Sequence, residues 1–359
     1  MKKLSALEPR LQGEVELQTT EFSGAITHFR EESTSPLRWM IALLVLVFLP
    51  GLARPQESSP PQNLSGNDYT ISVNVDLVVL RATAQDHKKA LVSGLGKDNF
   101  QVYENEVLQQ IKYFSHEDIP VTVGLVIDNS SSMRPKRHHV TAAALAFARS
   151  SNPLDQIFVV KFNEKVSFGL PDDMPFTDNT AQLETALSQI TADGQTALYD
   201  AVAAALEHLK QGNRDKKVLI VVSDGGDNAS KYNLAKIVSM AEKSNAILYT
   251  IGIYDEQDPD QNPHALKQLA KNTGGEAFFP QSLNDIGPIC EGIAHDIRNQ
   301  YTLAYVPTNR MRDGTYRVIQ VKASAPGRGR LSVRTRTGYF APSAGPPTPA
   351  KAIAHETHN

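Results

Sequence analysis

The sequence predicts an α/β protein: a doubly wound, mostly parallel sheet inserted between the two parts of a small β-sandwich-like unit. Between residues 121 and 299, apolar strand-like runs alternate with helical stretches, the pattern of a parallel sheet covered on both faces. On either side of that region the pattern is instead one of short β-strands. Neither flank alone has enough strands to bury a stable core, so the two are expected to complete one unit across the insertion.

Taken in order, the chain opens with a polar leader, residues 1–36, followed by "RWMIALLVLVFLPGLARP". The apolar run Trp39–Leu49 within it is shorter than the about 20 residues of a comfortable membrane span. It reads as the core of a signal peptide, flanked by Arg38 and followed by Gly51 and Ala53, which are spaced like a cleavage site. A signal peptide does not need the long leader. Either Met1 is not the true start, or the run is an uncleaved anchor that attaches the protein to a membrane through residues 39–53. Both routes predict export, to the periplasm, the cell surface or the medium. The leader with its signal or anchor is thus 1–54, and the Pro/Ser/Asn-rich stretch 55–68 is a linker.

The N-terminal β part spans 69–118. In "YTISVNVDLVVLRATAQD", Ile71, Val73, Val75 and Leu77 alternate, and near Val78 the phase breaks, as at a bulge or in a strand buried on both faces. "FQVYENEVLQQIKYF" reads as two short strands around Glu104-Asn105-Glu106. In the α/β domain, 119–299, strands are expected at 121–127, 156–162, 217–222 and 246–253. Helices are expected at 138–150, 180–191, 197–210, 231–244, 263–272 and 284–299. The C-terminal β part, 300–341, holds "YTLAYVP", "TYRVIQVKA" and "RLSVRTRTGYF"; the last places Val333, Thr335 and Thr337 opposite Arg334 and Arg336. The tail, 342–359, reads as disordered.

Composition narrows the function classes. A net charge of -3 and ordinary charged and apolar fractions favour neither a disordered chain nor a nucleic-acid-binding one, and no nucleic-acid partner is expected. The only cysteine, Cys290, can form neither an internal disulfide nor a thiolate metal cluster, so a metal must be held by oxygen or imidazole. No cysteine lies near the apolar run, which argues against a lipoprotein signal.

The chemistry concentrates in three loops. "VTVGLVIDNSSSMRP" ends an apolar strand at Asp128 and sets Ser130 and Ser132 at alternate positions; "TADGQTALYDAVAAAL" puts Thr196 at the start of an alanine-rich helix; "KVLIVVSDGGDN" ends a strand at Asp224 before two glycines. In a doubly wound sheet such loops can converge at the carboxyl edge, where ligands bind. Two carboxylates and three hydroxyls are hard donors carrying little charge, which suits Mg²⁺ or Mn²⁺ with positions left for water, whereas a calcium cage usually offers more carboxylates. Residues two apart in a tight loop can point the same way, and glycines at 225 and 226 let the backbone approach closely.

"DNSSS", "GQTALYDA" and "VVSDGGDN", in that order, resemble the metal-ion-dependent adhesion site of von Willebrand factor A domains. The resemblance covers roughly 120 to 299, about half the chain, and implies the Rossmann-like fold of that family. It implies that Ser130 and Ser132 ligate the metal directly, and that Asp128, Thr196 and Asp224 do so directly or through water. One coordination position is then completed by an Asp or Glu carboxylate of a partner protein. The flanks, with "FQVYENEVLQQIKYFS" and "QYTLAYVP", further resemble VWFA-related proteins of acidobacteria. The implied activity is metal-dependent protein binding or adhesion at a bacterial envelope, without catalysis.

Other chemistries fit less well. A haloacid dehalogenase-type phosphatase, the Mg²⁺-dependent hydrolase that such loops could otherwise form, needs a second carboxylate where the chain has Ser130, and a hydroxyl cannot act there as general acid or base. A serine hydrolase lacks its glycine-framed elbow, and Ser130 has no identifiable base. His138 and His139 are adjacent near a helix start and diverge, so they read as exposed surface. Arg310, Arg312, Arg317, Arg328, Arg330, Arg334 and Arg336 could bind an acidic polysaccharide or anionic lipid, but read more simply as a solvated strand face and loops. Cys290, on an apolar helix, reads as a small core residue. The Asn-x-Ser matches at Asn63, Asn129 and Asn228 are at chance level.

Overall fold

The two β flanks meet across the chain. The computed structural model describes residues 77–188, 193–254 and 261–343. These belong to one unit, Ile71–Asn359; the other unit, Met1–Thr70, lies outside the described residues, as do the predicted signal, linker and first apolar alternation. Four strands precede the α/β region: β1 (Val78–Gln85), β2 (Phe100–Glu104), β3 (Val107–Gln109) and β4 (Ile111–Ser115). The stretch expected to form two strands forms three. Asn105 and Glu106 both take positive φ, which closes a tight hairpin between β2 and β3, and the chain breaks again at Gln110 before β4.

The α/β region runs β5 (Val121–Asp128), α1 (Arg137–Ser150), β6 (Gln156–Phe162), β7 (Val166–Phe168), α2 (Thr180–Ser188) and α3 (Leu198–His208). It continues with β8 (Lys216–Ser223), α4 (Leu234–Ser244), β9 (Ile247–Gly252), α5 (Pro263–Thr273), β10 (Ala277–Phe278) and α6 (Ile286–Arg298). The sheet order is β10-β9-β8-β5-β6-β7, parallel except where β7 turns back on β6. All eight residues of β5 are buried, as expected of a central strand covered on both faces. At Gly124 a Cβ would lie 2.4 Å from the Phe158 ring, so the missing side chain makes room for that ring.

Helix ends follow local signals. Asn233 caps α4 by accepting from Lys236 N–H, and Asn262 caps α5 by accepting from Ala265 N–H, with Pro263 in the first turn. The Asn245 and Gly274 caps, both in the left-handed region, end these two helices.

Four strands follow: β11 (Tyr301–Tyr305), β12 (Tyr316–Ala325), β13 (Gly329–Arg334) and β14 (Gly338–Phe340). With the first four they form one continuous hydrogen-bonded path, β3-β2-β12-β13-β1-β11-β4, with β14 on β12. Leu80, Phe100, Val102, Tyr301, Leu303 and Ile319 belong to its core, which is separate from that of the α/β sheet. Residues 329–340 do not make one alternating strand. After Arg334 the chain leaves the ladder, Thr337 N–H donates to Asn272 O at 3.2 Å, and β14 pairs elsewhere.

The two sheets are joined by buried charge. Arg334 of β13 pairs with both Glu276 and Asp296, and Asp296 also accepts from Thr83 Oγ1 and Tyr249 OH, each at 2.8 Å. Arg317 is buried as well, against Glu104 (3.5 Å) and Asp313 (3.2 Å). Arg317 and Arg334 therefore depart from the expected solvated face in different ways: Arg317 shares the inward face of β12 with Ile319 and Val321 in the β core, whereas Arg334 points outward from β13 to Asp296 and Glu276 of the α/β region.

Candidate metal centre

The carboxyl ends of β5 and β8 lie side by side in register, which brings Asp128 next to the loop that carries Asp224. Asp128 is held from two directions: Ser130 N–H donates to its Oδ1 at 2.9 Å, and Ser223 Oγ donates to its Oδ2 at 2.6 Å. The D-x-S-x-S loop does bring its hydroxyls together. Ser130 Oγ lies 3.1 Å from Ser132 Oγ, and Ser132 Oγ donates to Asp224 Oδ2 at 2.6 Å. One hydrogen-bonded chain thus links four of the five predicted groups through Asp128, Ser130, Ser132 and Asp224.

Thr196 lies just before α3, and its backbone is stitched to the loop that follows Asp224. Thr196 N–H donates to Asn228 Oδ1 at 2.9 Å, while Thr196 O accepts from Asn228 N–H (3.0 Å) and Ala229 N–H (3.1 Å). Asp227 and Asp200 continue the stitching by accepting from Tyr199 N–H and from Lys231 and Tyr232 N–H. Gly225 has φ +83°, and a Cβ there would meet Asn262 O at 2.5 Å, so this turn requires glycine. Gly226 N–H donates to Asp224 Oδ1 at 3.1 Å and fixes that carboxylate from behind.

Asp128, Ser130, Thr196 and Asp224 are all buried, and Ser132 is half-buried. Among the described residues, neither carboxylate is in an ion pair. Burial, reinforced by the charge of Asp224, pushes the Asp128 carboxyl up to about 6, against the hydrogen bonds from Ser223 and Ser130 that favour its ionised form. Two buried acids supplied only with hydroxyl and amide donors leave negative charge uncompensated. That donor set fits a small hard cation. Among the described residues no group of three or more His, Cys, Asp or Glu is placed to hold a metal, so hydroxyl donors are what distinguish this site.

Ser223 is the residue that sequence reading missed. It stands at the end of β8 with no exposed surface and orients Asp128 across strands; its only signal was a hydroxyl immediately before the Asp-Gly-Gly turn. His138 and His139 are both exposed on α1. Cys290 is buried on α6, its thiol pushed up to about 12 by burial and by Glu291, which keeps it an inert core residue.

Residues 122–290 match the family model of the von Willebrand factor type A domain, and the six-stranded sheet with its helices is a VWA-type α/β fold. Among solved structures, the chain is similar to a von Willebrand factor type A protein from Catenulispora acidiphila, at 14% identity over 74% of each chain with a TM-score of 0.46. It is also similar to the vWF domain of the type V pili tip protein Mfa5 from Porphyromonas gingivalis, at 16% identity over 50% of this chain and 95% of that one, TM-score 0.42. A third is proximal thread matrix protein 1 from the mussel byssus with a zinc-occupied MIDAS motif, at 18% identity over 54% and 50% of the two chains, TM-score 0.45. No curated protein matches the chain. Among the described residues no helix is long and apolar enough to cross a membrane; the apolar run 39–53 lies outside them.

Proposed function

We propose that this is an exported, non-enzymatic binding protein whose VWA domain recognises an acidic residue of a partner protein through a divalent cation, Mg²⁺ or Mn²⁺. The observation that carries the reading is the hydrogen-bonded chain from Asp128 through Ser130 and Ser132 to Asp224, whose two acids are in no ion pair among the described residues. Asp128, Ser130, Ser132, Thr196 and Asp224 would hold the cation, whose chemistry is that of an incompletely ligated Lewis acid open to a carboxylate. The protein's own part is positioning. Ser223 and the Ser130 amide hold Asp128 in one orientation, the Gly226 amide does the same for Asp224, and the half-buried Ser132 lies at the open side. The export signal read in residues 39–53 and the flanking resemblance to VWFA-related proteins of acidobacteria support an envelope location, with 119–299 as the binding domain and the β parts 69–118 and 300–341 as its support.

Calorimetric titration of the chain with Mg²⁺ and Mn²⁺ tests the site. One-site saturable binding, lost in Ser130→Ala/Ser132→Ala, is the expected result. Partner capture from envelope extracts should then require the metal, and capture that survives both chelation and Asp128→Ala removes the metal from the mechanism. Turnover of phosphate esters lost with Asp128→Ala would replace binding by hydrolysis.

A further inference from the structure

The outer face of the β unit and helix α5 together form a groove of about 1140 Å³, lined by β1, β12 and β13 on one side and by Lys267 and Lys271 of α5 on the other. The register defines its floor. Leu331 and Ala323 face the core, so their neighbours Arg330, Ser332 and Lys322 face outward, and the pairs Gln85↔Ser332 and Lys322↔Gln101 extend that polar surface across the strands. The same face is covered by the α/β domain at Thr83 and Arg334, where Asp296 bonds both, and is left open at Gln85, Ser332 and Lys322.

The charge in this groove is one-sided. Lys267 and Lys271 are exposed one helical turn apart, Arg330 is exposed and Lys322 half-buried; among the described residues none of the four is in an ion pair. The two carboxylates that line the groove are already engaged. Glu276 pairs with Arg334, and Asp86 accepts from Lys88 N–H (2.8 Å) and Ala90 N–H (2.9 Å) in its own turn. The exposed floor is amide and hydroxyl: Gln320 and Ser332 are exposed and Gln85 half-buried. The aromatic ring that lines the groove, Phe279, is half-buried with Lys267 Nζ 5.0 Å from its centroid, so it is covered by a cation rather than open as an anchor pocket of the kind that dominates protein–protein contacts. The concavity of the groove suits a single chain rather than a flat bilayer.

We propose that this groove binds an acidic polysaccharide, with Lys267, Lys271, Lys322 and Arg330 on its carboxylates or sulfates and Gln85, Gln320 and Ser332 on its hydroxyls. The site is separate from the metal loops and independent of them. The test is binding of the full chain to polygalacturonate, to dextran sulfate and to neutral dextran, by interferometry in the presence of a chelator. The two polyanions are expected to bind, either one sufficing and the preference identifying carboxylate or sulfate, and the affinity should fall as salt rises. Lys271→Gln/Lys322→Gln should weaken binding about five-fold or more. The control Lys112→Gln/Lys210→Gln removes the same charge elsewhere and should leave it within about two-fold, and Asp128→Ala should not change it. Binding of neither polyanion, equal binding of neutral dextran, equal loss in the control variant, or loss with Asp128→Ala would each overturn the proposal. So would capture by anionic phosphatidylglycerol vesicles through Lys271 and Lys322 when neither polysaccharide binds, which would assign the groove to a membrane surface instead.

Discussion

The junction of the two sheets and the carboxyl edge of the α/β sheet bury carboxylates in opposite ways. At the junction of the sheets, buried Asp296 and half-buried Glu276 share the guanidinium of Arg334, and within the β unit Glu104 faces Arg317 while accepting from Tyr305 OH and Tyr339 OH. At the carboxyl edge of the α/β sheet, the donors to Asp128 and Asp224 among the described residues are hydroxyls and amides. Burying an acid is costly unless its charge is met. The junction meets that requirement within the chain, whereas the edge leaves it to something from outside. Asp155, buried and holding the Val121 and Asn152 amides without an ion pair among the described residues, shows that a lone acid can be structural; the edge is set apart by two such acids linked through Ser130 and Ser132.

The sharpest way to break this contrast is to remove the cation at the junction. Arg334→Ala leaves Asp296 and Glu276 without a cation and should cost about 3–5 kcal/mol of stability, measured by urea unfolding. A loss below about 1 kcal/mol would mean that solvent already meets those charges.

At the metal edge the expected sign is reversed. The folded-state value of Asp128 lies above its ordinary 3.8, near 6, so the folded protein binds the proton more tightly than the unfolded chain does. Metal-free stability should therefore fall as pH rises from about 4 to about 6, by on the order of 2–3 kcal/mol, and stay level above. Asp128→Asn should abolish that slope and, in chelator, be more stable than the native chain at pH 7. Mg²⁺ at about 100 times its dissociation constant should add about 2.7 kcal/mol to the native chain and nothing to this variant. A stabilisation of both equally would separate the cation from Asp128.

Smaller effects sharpen the comparison. Gly225→Ala places a side chain against Asn262 O in a left-handed turn, and should cost about 1–3 kcal/mol while reducing metal response more than its stability loss explains. The Lys210–Glu207 pair, with both side chains about two-thirds exposed or more, is the reference for surface charge. Lys210→Ala should change stability by less than about 0.5 kcal/mol in the same unfolding assay.

Much of the fold was legible because its signals are local. The strands β5, β6 and β8 and most helices fall within one to three residues of where periodicity and end signals placed them. The juxtaposition of Asp128, Ser130 and Ser132 was legible for a similar reason: D-x-S-x-S spacing acts within one turn of backbone. The extra strand β3 was missed because two consecutive positive φ values at Asn105 and Glu106, the second at a residue that seldom adopts one, close a tighter hairpin than composition suggests. The break after Arg334 was missed because Thr337 is drawn to Asn272, a partner 65 positions away.

By itself, then, the sequence determined the order of elements, the carboxyl-edge position of the three loops and the hard-oxygen character of their donors, since each depends on residues within a few positions of one another. The tertiary structure alone decided that Ser223 orients Asp128 across 95 positions, and that Arg334 turns from a presumed solvated face into the half-buried partner of Asp296. It also decided which cations, outside any ion pair among the described residues, line the groove beside α5. Alternation marks a strand face without naming what covers it, and a charge's role depends on what covers it.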